Sequence, residues 1–110
     1  MISIDETLSN MGSRENLLGG NPTQDKVKFY SNELNVSNET PPAFIAVSSN
    51  DSLIPIKKFL VYYESLNKNG VPTALFIYPT GGHGWVYNPD FTYNEAWTYE
   101  LKNWLKNLNF

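Results

Sequence analysis

The sequence holds one histidine, His83, in the run Pro79-Thr80-Gly81-Gly82-His83-Gly84. An acid, Asp51, stands 32 residues earlier, in Ser48-Ser49-Asn50-Asp51-Ser52-Leu53-Ile54-Pro55. Both follow short apolar runs, 43–47 before the acid and 74–78 before the histidine. If those runs are neighbouring parallel strands, roughly 4.8 Å apart, the loops leaving their same ends can bring the two side chains together. Open α/β sheets gather ligands and reactive groups outside the carboxyl ends of their strands. The chemistry that wants this pair is nucleophilic catalysis. The imidazole takes a proton from a hydroxyl, while the carboxylate fixes the ring's tautomer and stabilises its charged form.

Plainer readings compete. Asn50, Asp51 or Ser52 also suits the cap of the helix that Pro55 opens, and a histidine among glycines is often structural or merely exposed. Their placement at one edge of one sheet favours the reactive reading. Trp85, beside the histidine loop, is a candidate substrate-binding residue, whereas Trp97 and Trp104 fit a core stripe. Ser48, Ser49 and Ser52 lack the glycine context of a nucleophile elbow. The glycine run is no phosphate loop, because no Lys-Ser/Thr follows it and no helix starts there.

The elements that must position the pair follow from the flanking pattern. Ala43-Phe44-Ile45-Ala46-Val47 behind Pro41-Pro42 reads as a strand buried on both faces, and Thr73 to Tyr78 as a second. Pro55 opens a helix through about Lys68, with Phe59, Tyr62, Tyr63 and Leu66 at helical spacing, Gly70 at its end and Pro72 beyond. Thr92-Tyr93-Asn94-Glu95 resembles a capping box, and Trp97, Leu101, Trp104, Leu105 and Leu108 form the inward stripe of a final helix. Residues 1–42 are an irregular lead-in. Ile2 and Ile4 suit a short strand, Ser13 a helix cap before Gly19-Gly20, and Asn21-Pro22 a second helix start with Asp25 in its first turn and Val27 and Tyr30 on its apolar face. Asn35 to Pro42 is turn-forming. The whole is one domain, 1–110, whose 43–110 part runs strand, helix, strand, loop, helix. That order implies parallel α/β architecture.

Composition bounds the rest. At 110 residues, 41% apolar and 15% aromatic, the chain is one folded domain and not a disordered one. A net charge of −3 with Arg14 the only arginine leaves no basic patch for nucleic acid. No cysteine means no disulfide, no thiolate zinc site and no cysteine nucleophile, and one histidine rules out a multi-histidine metal centre unless subunits share one. No cofactor or metal is implied. The longest apolar runs, five residues, are far short of a membrane span, and the first residues carry no secretion signal, so the chain as written reads as cytoplasmic. With 14 asparagines, the triplets starting at Asn35, Asn38 and Asn50 are no sign of glycosylation.

Several segments together resemble the C-terminal part of α/β-hydrolase esterases, in the acetyl-esterase and acetylxylan-esterase-like, prolyl-oligopeptidase-like branch. Asn50-Asp51-Ser52-Leu53-Ile54-Pro55 is similar to that branch's Asp-Asp-x-x-Val-Pro, whose second acid maps to Asp51; Asn50 replaces the first. Gly81-Gly82-His83-Gly84 is similar to its Gly-Gly-His-Gly, and the histidine maps to His83. Gly12-Ser13-Arg14-Glu15-Asn16-Leu17-Leu18-Gly19 and Thr40-Pro41-Pro42-Ala43-Phe44-Ile45 look like the segments leading to the acid's strand. The resemblance implies a serine hydrolase of acetyl or carbohydrate esters, with His83 as general base and acid and Asp51 orienting it. The Gly-x-Ser-x-Gly elbow and the His-Gly-Gly-Gly segment of the oxyanion hole are absent. The chain is therefore expected to be the C-terminal part of that fold, a short parallel sheet with packed helices. It should be inactive alone and self-associate or pair with the missing N-terminal half, and any secretion signal of the parent would lie upstream. The other reading is a non-catalytic sugar-binding or interaction module using Trp85, Tyr87, Phe91 and Tyr93.

Overall fold

The computed structural model describes residues 3–109. A lead-in carries α1 (Met11–Leu18) and α2 (Gln24–Tyr30). There follow β1 (Ala43–Ser48), α3 (Ile56–Lys68), β2 (Thr73–Tyr78) and α4 (Asn94–Asn107). Short 3-10 turns lie at Glu6–Leu8, Asn32–Leu34 and Trp85–Tyr87. β1 and β2 pair in parallel, from Ala43 opposite Thr73 to Ser48 opposite Tyr78, with α3 as the crossover. Both strands therefore end at one edge, and the Asp51 and His83 loops leave from it.

The helix ends show how local chemistry sets these elements. α3 stops as a glycine-terminated helix should: Gly70 sits at φ +71°, its N–H donates to Asn67 O, and Val71 N–H donates back to Leu66 O. At the other helices the capping residues differ from expectation. Asn10, not Ser13, caps α1, its Oδ1 accepting from Ser13 N at 2.9 Å. Thr23, not Asn21, caps α2, where Asp25 does lie in the first turn. α4 opens at Tyr93 without a side-chain cap, so the expected box at Thr92 does not form. Val27 is buried but Tyr30 is exposed. Ile4 lies in a bend and not a strand, and Ile2 falls outside the described residues.

The strands are also less buried than their composition suggests. Val47 and Ser48 are buried, but the rest of β1 is half-buried and Ile77 of β2 is exposed. Two strands under α3 and α4 do not supply two complete covering layers. On the α4 side the contact is aromatic, Phe44 meeting Phe76 at 5.3 Å and Trp104 at 5.7 Å between ring centres. None of the expected α4 stripe residues is fully buried.

The lead-in is fastened to α3 by buried polar groups. Lys58 Nζ and Glu33 Oε2 lie 2.9 Å apart with side chains 0% and 7% exposed. Glu33 also accepts from Ser3 Oγ and from Ile4 N, and its carbonyl accepts from Ser65 Oγ.

Candidate active site

β1 delivers Asp51 three residues past its last residue, and the intervening turn gives the carboxylate its setting. Asp51 Oδ1 accepts from Leu53 N at 2.8 Å and Ile54 N at 3.0 Å. Those amides precede α3, whose cap position is Pro55, so Asp51 braces the approach to the helix and not its first turn. The other oxygen, Oδ2, lies 2.7 Å from His83 Nδ1. Both carboxylate oxygens are thus committed, and the side chain is 5% exposed. Burial alone would push the Asp51 pKa up. The hydrogen bond with His83, the amides of Ile54 and Leu53 and the charge of His83 outweigh it and hold the carboxyl below its ordinary value. An ionised acid is what an orienting carboxylate must be.

β2 delivers His83 through a loop with left-handed backbone at Gly82 (φ +66°) and Gly84 (φ +74°). The ring is 45% exposed. With Nδ1 on the carboxylate, Nε2 is the free nitrogen, and it meets no hydrogen-bond partner among the described residues. An open nitrogen across the ring from one held by a carboxylate is what a general base requires.

The loop's shape is fixed from beneath. Gly81 has φ +127°, and a Cβ there would lie 2.4 Å from Phe91 and 2.8 Å from Ser48 Oγ. Only glycine fits. Trp85 is 5% exposed; its ring stacks on Phe91 at 4.1 Å and its indole N–H donates to Ser48 Oγ at 2.8 Å. The open aromatic surface expected of Trp85, Tyr87, Phe91 and Tyr93 is therefore corrected. Trp85 and Phe91 are inside, Tyr93 stacks on Tyr78 at 4.8 Å, and only Tyr87, 95% exposed, faces outward.

Residues 48–50, which sequence reasoning did not place in the site, stitch the two loops together. Ser48 Oγ donates to Thr80 O at 2.9 Å, Ser49 Oγ to Pro79 O at 3.3 Å, and Asn50 Oδ1 accepts from Gly82 N at 2.9 Å. The available signals were their adjacency to Asp51 at a strand exit and, for Asn50, its place in the motif around the acid. Ser48 and Ser49 spend their hydroxyls on backbone carbonyls, which agrees with neither being a nucleophile. Among the described residues no group of three or more acidic, histidine or cysteine side chains is placed to hold a metal ion. Nor is any described helix long and apolar enough to cross a membrane.

A parallel sheet that sets a carboxylate against a histidine at the ends of adjacent strands defines the C-terminal part of an α/β-hydrolase fold. The family model of the prolyl oligopeptidase family matches residues 3–109, and the chain belongs to that family. An acetylxylan esterase from Xylanibacter ruminicola is 36% identical over 112 residues, covering 98% of this chain and 23% of that protein. Endo-1,4-beta-xylanase B of Butyrivibrio fibrisolvens is 36% identical over 76 residues, 68% of this chain and 12% of the xylanase. Among solved structures, the acetyl ester-xyloside bifunctional hydrolase from Caldicellulosiruptor lactoaceticus superposes with TM-score 0.91 at 36% identity, over 99% of this chain and 40% of the other. The chain thus spans less than half the length of each of these relatives.

Proposed function

We propose that Asp51 and His83 are the acid and the base of a serine-esterase triad acting on acetyl or other carbohydrate esters. The nucleophile and oxyanion hole come from polypeptide outside these 110 residues. The observation that carries the reading is the 2.7 Å contact between His83 Nδ1 and Asp51 Oδ2 with Nε2 left open. The acetylxylan esterase and the acetyl ester-xyloside hydrolase among the relatives support the substrate class. In this scheme Nε2 takes the proton of a serine hydroxyl as its oxygen adds to the ester carbonyl. The protonated ring returns that proton to the departing sugar oxygen, leaving an acyl-serine. Water then attacks with His83 again as base, and the acid is released. Asp51 stays ionised throughout. No metal or organic cofactor enters the scheme.

The chain alone should show at most trace turnover, since a base without a positioned hydroxyl and oxyanion donors does little. Two measurements test the reading. Intact mass after a fluorophosphonate probe should show no labelled serine in the purified chain. Exchanged for the matching segment of the Xylanibacter ruminicola esterase, the chain should support hydrolysis of an activated acetyl ester, abolished by His83→Ala and cut roughly 10⁴-fold by Asp51→Asn. Labelling of a serine within the chain, lost on His83→Ala, would overturn the division of the triad. A folded chimera indifferent to His83→Ala would overturn the site.

A further inference from the structure

The side chains at the end of β1 extend the strand pairing beyond the sheet. Within the sheet, Ser48 lies opposite Tyr78. Past it, Ser48, Asn50 and Asp51 bond to Thr80, Gly82 and His83, each partner 32 positions along. These side chains add to the backbone bond that Ser49 N–H still donates to Tyr78 O. Asn50 and Asp51 are adjacent, and they grip adjacent residues of the histidine loop.

We infer that Asn50 is a positioning residue for the acid–base pair: its Oδ1, holding Gly82 N–H at 2.9 Å, sets the backbone from which His83 turns its Nδ1 onto Asp51. The inference rests on the reading of Asp51 and His83 as acid and base. Gly82 is the residue immediately before His83, and its amide has no other partner among the described residues. Because Gly82 and Gly84 lie on the left-handed side, the loop has wide conformational freedom that the histidine itself does not limit. Packing from beneath limits the loop at Gly81 and Trp85, and the acceptor on that amide limits it next to the histidine. Ser48 acts one step further back, joining Thr80 O to the Trp85 indole and so seating the loop's two ends. Asn50 is exposed, so its replacement reads out positioning more than stability.

The test uses the 110-residue chain, where one histidine makes assignment unambiguous. Proton NMR at a pH where the ring is protonated should show a far-downfield Nδ1–H resonance, held by Asp51. Asn50→Ala should lose that resonance by exchange broadening and speed Gly82 amide exchange about tenfold, with the thermal midpoint shifted by no more than a few degrees. Asn50→Asp, whose carboxylate still accepts from Gly82 N–H, should restore both. Retention of the resonance and of Gly82 protection in Asn50→Ala overturns the inference, as does failure of Asn50→Asp to restore them. Should Asn50→Ala not fold, the unsubstituted chain decides: a Gly82 amide exchanging at the rate of a free loop overturns it. Absence of the resonance in the unsubstituted chain removes the acid–base pair itself and the inference with it, so the two failures are told apart.

Discussion

At the scale of single residues, His83 takes its character from what surrounds it and little from its own side chain. Its ring is oriented from one side by Asp51 and its loop is held from below by a stack in which Trp85 is central. Trp85 combines two contributions that substitution can separate. Trp85→Phe keeps a ring on Phe91 but removes the N–H, and should cost about 0.5–1.5 kcal/mol. Trp85→Ala also removes the buried ring beside Phe91, Tyr78 and Trp97 and should cost about 3–5 kcal/mol. Urea midpoints of the three proteins check both. Asp51 and His83 were legible in the sequence because a strand exit and a glycine run mark them directly. The inward turn of Trp85 was not, since nothing in one sequence says that Ser48, 37 residues away, accepts its N–H.

At the scale of elements, the strands and the two long helices were readable from apolar periodicity and from Gly70, signals that lie within a few residues of the structure they specify. The caps of α1, α2 and α4 were less so, because several Asn, Ser and Thr residues compete at each start and only the backbone path chooses among them. The joint between lead-in and α3 was invisible for a stronger reason: Glu33 and Lys58 are 25 positions apart and look like ordinary surface charges. In the structure their pairing is buried, so removing Lys58 takes the adjacent cation from a buried carboxylate. Lys58→Ala should cost about 3–5 kcal/mol by urea unfolding at neutral pH. Acid should act on the same joint. Burial by itself would raise the Glu33 pKa, but hydrogen bonds from Ser3, its own backbone, Lys58 and Ile4 hold it below its ordinary value of 4.5. With a depressed folded pKa, the unfolded chain binds the proton first, so this stability is present above about pH 4.5 and lost as pH falls through the lower folded value. The urea midpoint of the unsubstituted chain should therefore drop below that pH, and that of Lys58→Ala should drop less.

At the scale of the whole molecule, the apolar strands, read from the sequence as buried on both faces, meet a structure too thin to bury them. The Cα radius of gyration is 15.2 Å and the extents are 43 × 32 × 19 Å. A compact domain of this length has a radius near 13 Å. The accessible surface is 7135 Å², against about 6,200 Å² for a compact monomer of 12.5 kDa. The excess, on the order of 900 Å², is about what each partner buries in a stable protein–protein interface. Where it lies is equally telling. Among the described residues the sheet has only two strands, so each carries an outer edge with no strand beside it. Ile77 is exposed on β2, and α4 leaves a shallow apolar hollow of about 370 Å³ between Pro41, Pro42, Trp104, Leu105 and Leu108. Open edges beside apolar surface recruit further strands. Studied by itself, the chain should find that cover in a second copy. Light scattering at tens of micromolar should give about twice the monomer mass, and Ile77→Lys, which puts a charge on the exposed strand, should shift the population towards monomer. A monomer at that concentration, unfolding in one sharp transition, would show that the thin sheet is stable uncovered and would remove the reason to expect a partner at this face.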